Sequence, residues 1–261
     1  MRPTAVLRPH EETIRSRLEE VRRQLESDGV QRDPILVDRD SGAVLDGMHR
    51  LAALSQIGVQ SVVCCELDYM SAAVKVGRWA RAYESGDASL KEALEEAGLT
   101  RRVSHAEAAT SLATRELSAA AFTSRDAFVG TGPADLRLAH GTVRSLDDAA
   151  LSRGWRRRFV PEEEAEREWG KRGELVLMAM PVGKEDVLGA ALHGELFPCK
   201  ATMHSVDPRP VAVNVPLREL SGPPERVSAR LPAAAEAKVL PPNSMYQGRR
   251  YKERLLVLRP E

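Results

Sequence analysis

The 261-residue chain is short of several features that would assign a class at once. No apolar run approaches the roughly 18 residues needed to cross a bilayer. The opening MRPTAVLRPHEE lacks the long apolar stretch of a signal peptide. The three cysteines, Cys64, Cys65 and Cys199, show neither CxxC pairing nor His/Cys ligand spacing. Neither a structural zinc nor a disulfide framework is therefore indicated, and the reducing cytoplasm is the expected location. Surplus charge is absent too: 38 Lys and Arg balance 38 Asp and Glu, which argues against a nucleic-acid binder working by bulk electrostatics. No G-x-x-x-x-G-K-[ST] run occurs, which excludes a P-loop enzyme. No internal repeat is found. What remains is an ordinary globular composition, 43% hydrophobic and 29% charged with a mean hydropathy of −0.33. A chain of this length suits one or two packed units and can bury a core without disulfides or structural metals.

Ile14, Leu18, Val21 and Leu25 recur at helical spacing from Glu11 onward, and Asp28-Gly29 closes the helix they predict. Pro34 to Val37 and Ala43 to Leu45 read as short strands around the turn Asp40-Ser41-Gly42. Asp46-Gly47 opens a helix through Leu51, Leu54 and Ile57 that stops at Gly58, and Gln60 to Leu67 is a further strand. Residues 1–70 thus form a compact α/β unit. Residues 71–220 read as a second, mostly helical α/β domain. Its clearest helices are Ser71 to Glu84 and Ser89 to Ala97, with Arg115 to Val129 a hairpin or strand pair and 133–153 ambiguous. Glu174 to Met180 reads as a buried strand and Lys184 to His193 as a helix. Residues 221–261 form a Pro-rich linker, marked by Pro223, Pro224, Pro232, Pro241 and Pro242, and a strand-like tail, Arg254 to Leu258.

The turn Asp46-Gly47-Met48-His49-Arg50 is the most informative segment. A glycine at a strand end lets backbone approach a ligand closely, and the following helix points its first N–H groups at the same spot, making an anion site. His49 and Arg50 add donors, and Asp46 at the N-cap can hold a magnesium ion or orient a hydroxyl. The plainer reading is an N-cap followed by two surface polar residues.

The order helix, strand, strand, G-x-H-R, helix, strand resembles the ParB/sulfiredoxin superfamily. Met48 stands where sulfiredoxins carry their nucleophilic cysteine, so sulfinic-acid repair is excluded. The closer similarity is to the free L-serine kinases of archaea and the related siderophore-pathway serine kinases of bacteria. Leu7-Arg8-Pro9-His10-Glu11 resembles the family's Pro-His-Glu, and Asp46 to Arg50 its D-G-H-H-R. Lys200-Ala201-Thr202-Met203-His204 resembles its Lys-Thr-Thr-Arg-His. The similarity runs in order over about residues 5 to 220 and finds no counterpart for the tail.

The resemblance implies a kinase acting on the side-chain hydroxyl of free serine or a close analogue, with ADP or ATP as donor and Mg2+ as cofactor. By the same resemblance Glu11 is the catalytic carboxylate, assisted by Asp46 and His49. Gly47, Met48 through its backbone, His49 and Arg50 would cradle phosphate, and Lys200, Thr202 and His204 would contact it from the third segment. Glu11 read by itself is a first-turn glutamate favourable to the helix dipole. Expected partners are the nucleotide and a small amino acid, with neither nucleic acid nor membrane, and a homodimer is left open.

Three departures stand against simple inheritance. Met48 replaces the family's first histidine, and Ala201 and Met203 replace a threonine and an arginine. Charge-assisted phosphate contacts of the kind lost are worth about 1.5–3 kcal/mol each. A nucleotide-binding regulatory protein without turnover is therefore the alternative, and a ParB-type DNA-binding factor a further one. In the tail, Tyr246, Arg249, Arg250 and Tyr251 can supply missing cationic contacts or cover the site, or equally form a docking strand or a dimer contact.

Overall fold

The computed structural model describes residues 1–84, 89–169, 171, 173–221 and 236–259. The stretch that carries Pro223, Pro224 and Pro232 lies outside them. The chain divides into two compact units. The first comprises Met1–Val76, Lys184–Cys199 and His204–Glu261, the second Gly77–Gly183 and Lys200–Met203. Contiguous bounds at 70 and 220 were expected instead. The first unit is discontinuous because the helix Lys184–His193 and the chain beyond His204 belong to the N-terminal unit.

In the first unit, Ile35–Asp38 pairs in parallel with Cys64–Leu67 and antiparallel with Val44–Asp46. Ile35, Leu36 and Val37 are all buried, so both faces of this central strand are covered, which explains its unbroken apolar run. The helix Arg15–Asp28 ends at Gly29, whose φ of 67° is the left-handed conformation that terminates helices. Its Val21 and Leu25 join Leu51 and Leu54 of the helix Met48–Ile57 in one core cluster. The expected start at Glu11 is four residues early. Residues 11–14 are extended, and Glu11 forms a parallel bridge to Phe197. The tail adds a sheet of its own. Leu255–Val257 lies parallel to Arg209–Val211 and antiparallel to Lys238–Leu240.

The second unit holds more strand than its Ala-rich composition suggests. Six antiparallel strands run in the order Arg156–Pro161, Trp79–Glu84, Glu174–Ala179, Ala119–Phe122, Ala127–Val129, Arg101–Val103. The segment read as a helix, Ser71 to Glu84, is instead the strands Val74–Gly77 and Trp79–Glu84. Alternation decides the matter: Ala80 and Ala82 pack into one core cluster, and Tyr83 into the other. Arg81 shares Tyr83's face and is buried because Asp147 meets it at 3.1 Å, Arg157 at 2.9 Å and the Tyr83 hydroxyl at 2.6 Å. The hairpin within 115–129 and the helix Ser89 to Ala97 occur, the latter as Leu90–Glu96, and the ambiguous 133–153 contains the helix Leu136–Ser152. Among the described residues no helix is long and apolar enough to cross a membrane.

Candidate active site

The turn at the end of Val44–Asp46 is built around Gly47, whose φ of 104° disfavours any side chain. A Cβ there would also lie 3.1 Å from the Arg50 guanidinium. Arg50 folds back over the turn and donates to the carbonyls of Asp33 and Pro34 at 2.9 and 2.8 Å. Its other terminal nitrogen faces the Asp46 carboxylate at 3.5 Å. Asp46 also receives a hydrogen bond from Arg209, so two guanidiniums hold one carboxylate. Met48 is buried in the core cluster, leaving only its backbone to the turn.

His49 ties this turn to the segment that carries Glu11. The Ile14 N–H donates to His49 Nε2 at 2.9 Å, which makes Nδ1 the protonated nitrogen of the neutral ring. Glu11 itself is fixed by backbone. Phe197 N–H donates to the His10 carbonyl at 2.8 Å, and Glu12 N–H to the Phe197 carbonyl at 2.9 Å. The side chain of Glu11 is mostly covered, and its Oε1 lies 3.8 Å from His10 Nε2. That contact is not an ion pair near neutrality, because burial pulls the His10 pKa down to about 4. His10 Nδ1 donates to the Val44 carbonyl at 2.8 Å, so Nε2 faces the carboxylate as an uncharged acceptor.

His204 stands edge to face against His10, their centroids 5.5 Å apart. Its Nε2 and the Tyr69 hydroxyl are 2.8 Å apart, and a backbone hydrogen bond joins it to Leu45. Burial foremost, and the neighbouring His10 next, lower its pKa to about 3. The expected contact of His204 with phosphate does not suit this arrangement. The ring is buried and neutral, and Tyr69 and Leu45 engage it. Lys200 and Thr202 belong to the second unit, where Lys200 Nζ lies 4.8 Å over the Trp79 ring and Thr202 is buried. Trp155 is a core residue against Tyr83.

The described residues do not build a resident magnesium site. Among the described residues no group of three or more His, Cys, Asp or Glu side chains converges, and the Asp46 carboxylate is engaged by two guanidiniums. Arg209 and Tyr69 lie outside every motif of the sequence. Each meets its partner only through long-range folding, Asp46 for the one and His204 for the other. No local pattern marks either.

A three-stranded mixed sheet that delivers a G-x-H-R turn to a helix defines the first unit as ParB/sulfiredoxin-like. Comparison with known proteins agrees. No protein-family profile matches the chain. The ADP-dependent L-serine kinase of Thermococcus kodakarensis is 27% identical over 220 residues, covering 82% of this chain and 89% of that protein. A ParB-like protein of Sulfolobus acidocaldarius is 36% identical over 88 residues, covering 34% of this chain and 43% of that protein. A free serine kinase solved with ADP superposes with a TM-score of 0.72 at 24% identity, covering 84% of this chain and 92% of that one. Over most of its length the chain is similar to free L-serine kinases.

Proposed function

We propose that the protein transfers a phosphoryl group from ADP or ATP to the side-chain hydroxyl of free L-serine or a close hydroxy amino acid. The observation that carries this reading is the junction of Glu11 with the Gly47–Arg50 turn inside one unit, through the Ile14 N–H bond to His49. It is supported by relatives that are themselves L-serine kinases. In this reading the serine Oγ forms a bond to the terminal phosphorus of the donor. The bond from that phosphorus to the bridging oxygen breaks, and the oxygen leaves with the nucleotide. Glu11 accepts the Oγ proton. The backbone of Gly47 and Met48, with the Nδ1–H of His49, meets phosphate oxygens. Arg50 supplies positive charge and holds Asp46 in place, and Asp46 orients the acceptor. Magnesium enters with the nucleotide as part of the substrate. His10 and His204 are positioning residues that keep Glu11 facing a neutral wall.

Phosphorus NMR of the protein with magnesium tests this, with ADP and ATP offered separately against free hydroxy amino acids. A new phosphomonoester signal names donor and acceptor together. Glu11→Gln should abolish that signal while calorimetric nucleotide affinity stays within about twofold. Full turnover in Glu11→Gln would remove Glu11 from the chemistry. Nucleotide binding with no phosphomonoester from the unaltered protein would leave the regulatory reading.

A further inference from the structure

The tail beyond residue 236 is docked by burial. Leu255 and Val257 are inaccessible, and with Tyr251 they pack on Val211 and Ala212. The short strands Met245–Tyr246 and Arg249–Arg250 form a hairpin turned at Gln247-Gly248, whose φ angles of 47° and 76° suit a tight two-residue hairpin loop. This hairpin carries Arg249 to the rim of a cleft lined also by Asp33, Asp46, Arg50, Arg209 and Tyr251. The cleft spans about 250 Å³ with its open mouth included. Its closed interior has room for about one water, so a ligand group sits at the mouth, where Arg249 stands.

Three guanidiniums here face two carboxylates. Asp33 accepts from the Ala212 N–H at 2.9 Å. Arg50 and Arg209 are both committed to Asp46, and Arg50 to two carbonyls besides. Arg249 differs. Among the described residues its recorded contact is the face of the Tyr251 ring, 4.8 Å from the guanidinium carbon, which orients the planar fork without engaging its N–H groups. An oriented guanidinium that still has its donors, at the mouth of a cleft with surplus positive charge, suits an anionic oxygen group.

We propose that Arg249 is a binding residue of the site. Donated by the C-terminal hairpin, it captures an anionic oxygen group of a ligand held at the Asp46–Arg50 turn. The inference rests on the kinase reading for its two sources of that group, the carboxylate of the acceptor amino acid and a phosphate of the nucleotide.

The test compares Arg249→Ala with Arg250→Ala, whose side chain leaves the same strand on the opposite face. Arg249→Ala should raise the KM of one substrate about tenfold or more, the effect of losing one charge-assisted hydrogen bond. Arg250→Ala should change it less than about twofold. Serinamide, which lacks the carboxylate, separates the sources. If the acceptor carboxylate is the ligand, serinamide is indifferent to Arg249→Ala. If a nucleotide phosphate is the ligand, the penalty persists with serinamide and appears in the calorimetric Kd of ADP. Equal KM values for unaltered protein and Arg249→Ala, with turnover intact, would overturn the inference and leave the kinase reading standing. If the unaltered protein shows no turnover, the kinase reading fails, and the Kd values of ADP and serine decide the inference alone. A weakening confined to Arg249→Ala supports it, and equal affinities or no binding overturn it.

Discussion

Taking the protein from about pH 7.5 to about pH 5 should cost the first unit roughly 4 kcal/mol of unfolding free energy through His10 and His204 alone. Both rings are buried, with folded-state pKa values near 4 and 3 against 6.5 in the unfolded chain. Between those limits the unfolded state binds protons that the folded state refuses. Stability is therefore fully present above pH 6.5, falls as the pH drops below it, and stops falling on this account only below the folded-state values. At pH 5 each ring lies about 1.5 units below its unfolded pKa, which is about 2 kcal/mol apiece at 1.36 kcal/mol per unit. A total near 4 is a large part of the roughly 5–15 kcal/mol that holds a typical domain. Urea unfolding at stepped pH, followed by far-UV circular dichroism, measures it. Tryptophan fluorescence would be a poor probe, since Trp79, Trp155 and Trp169 all lie in the second unit. His10→Asn keeps an amide donor for the Val44 carbonyl and removes one titrating ring, so it should show about half the loss. An unfolding free energy flat to within about 1 kcal/mol over this range would refute the reasoning, because the rings would then be taking protons inside the fold.

Two further outcomes follow from packing. Gly47→Ala combines a forbidding φ of 104° with a Cβ 3.1 Å from the Arg50 guanidinium, so it should cost about 1–2 kcal/mol in thermal unfolding and weaken nucleotide affinity. Unchanged melting and affinity would show that the turn can relax. In the second unit, Asp147→Ala removes the carboxylate that faces Arg81, Arg157 and the Tyr83 hydroxyl, for an expected loss of about 3–5 kcal/mol. Asp147→Asn, which keeps an acceptor for Tyr83, should lose less, and a larger loss with Asn than with Ala would refute the argument from charge.

The elements that the sequence announces are those closed by a local signal. Gly29 and Gly58 both take the left-handed conformation that ends a helix, and the helices before them stop where expected. The strand Trp79–Glu84 has no such signal. Alanine at 80 and 82 favours a helix in isolation, and only the two cores on either side of the sheet select the strand. Residues 11–14 depart from the expected helix for a related reason. The periodicity of Ile14, Leu18, Val21 and Leu25 is real, but Phe197 claims the backbone around Glu11 as an extended bridge.

The site divides along the same line. Gly47, His49 and Arg50 were legible because a glycine between a strand and a helix constrains its neighbours locally. The significance of Met48 was not. In sequence it is a lost histidine, whereas in the fold it is a core side chain, so the departure from D-G-H-H-R need not remove a ligand contact. His204 shows the opposite case: the motif match survives, yet Tyr69 and Leu45 engage its ring. Arg209 has no motif, yet it meets the Asp46 carboxylate directly. Its strand is braced by Leu255, so the tail that lacks a counterpart in the family pattern supports one of the two cations on Asp46. The C-terminal hairpin, with Arg249 and Arg250, thus brings positive charge that the motifs do not record.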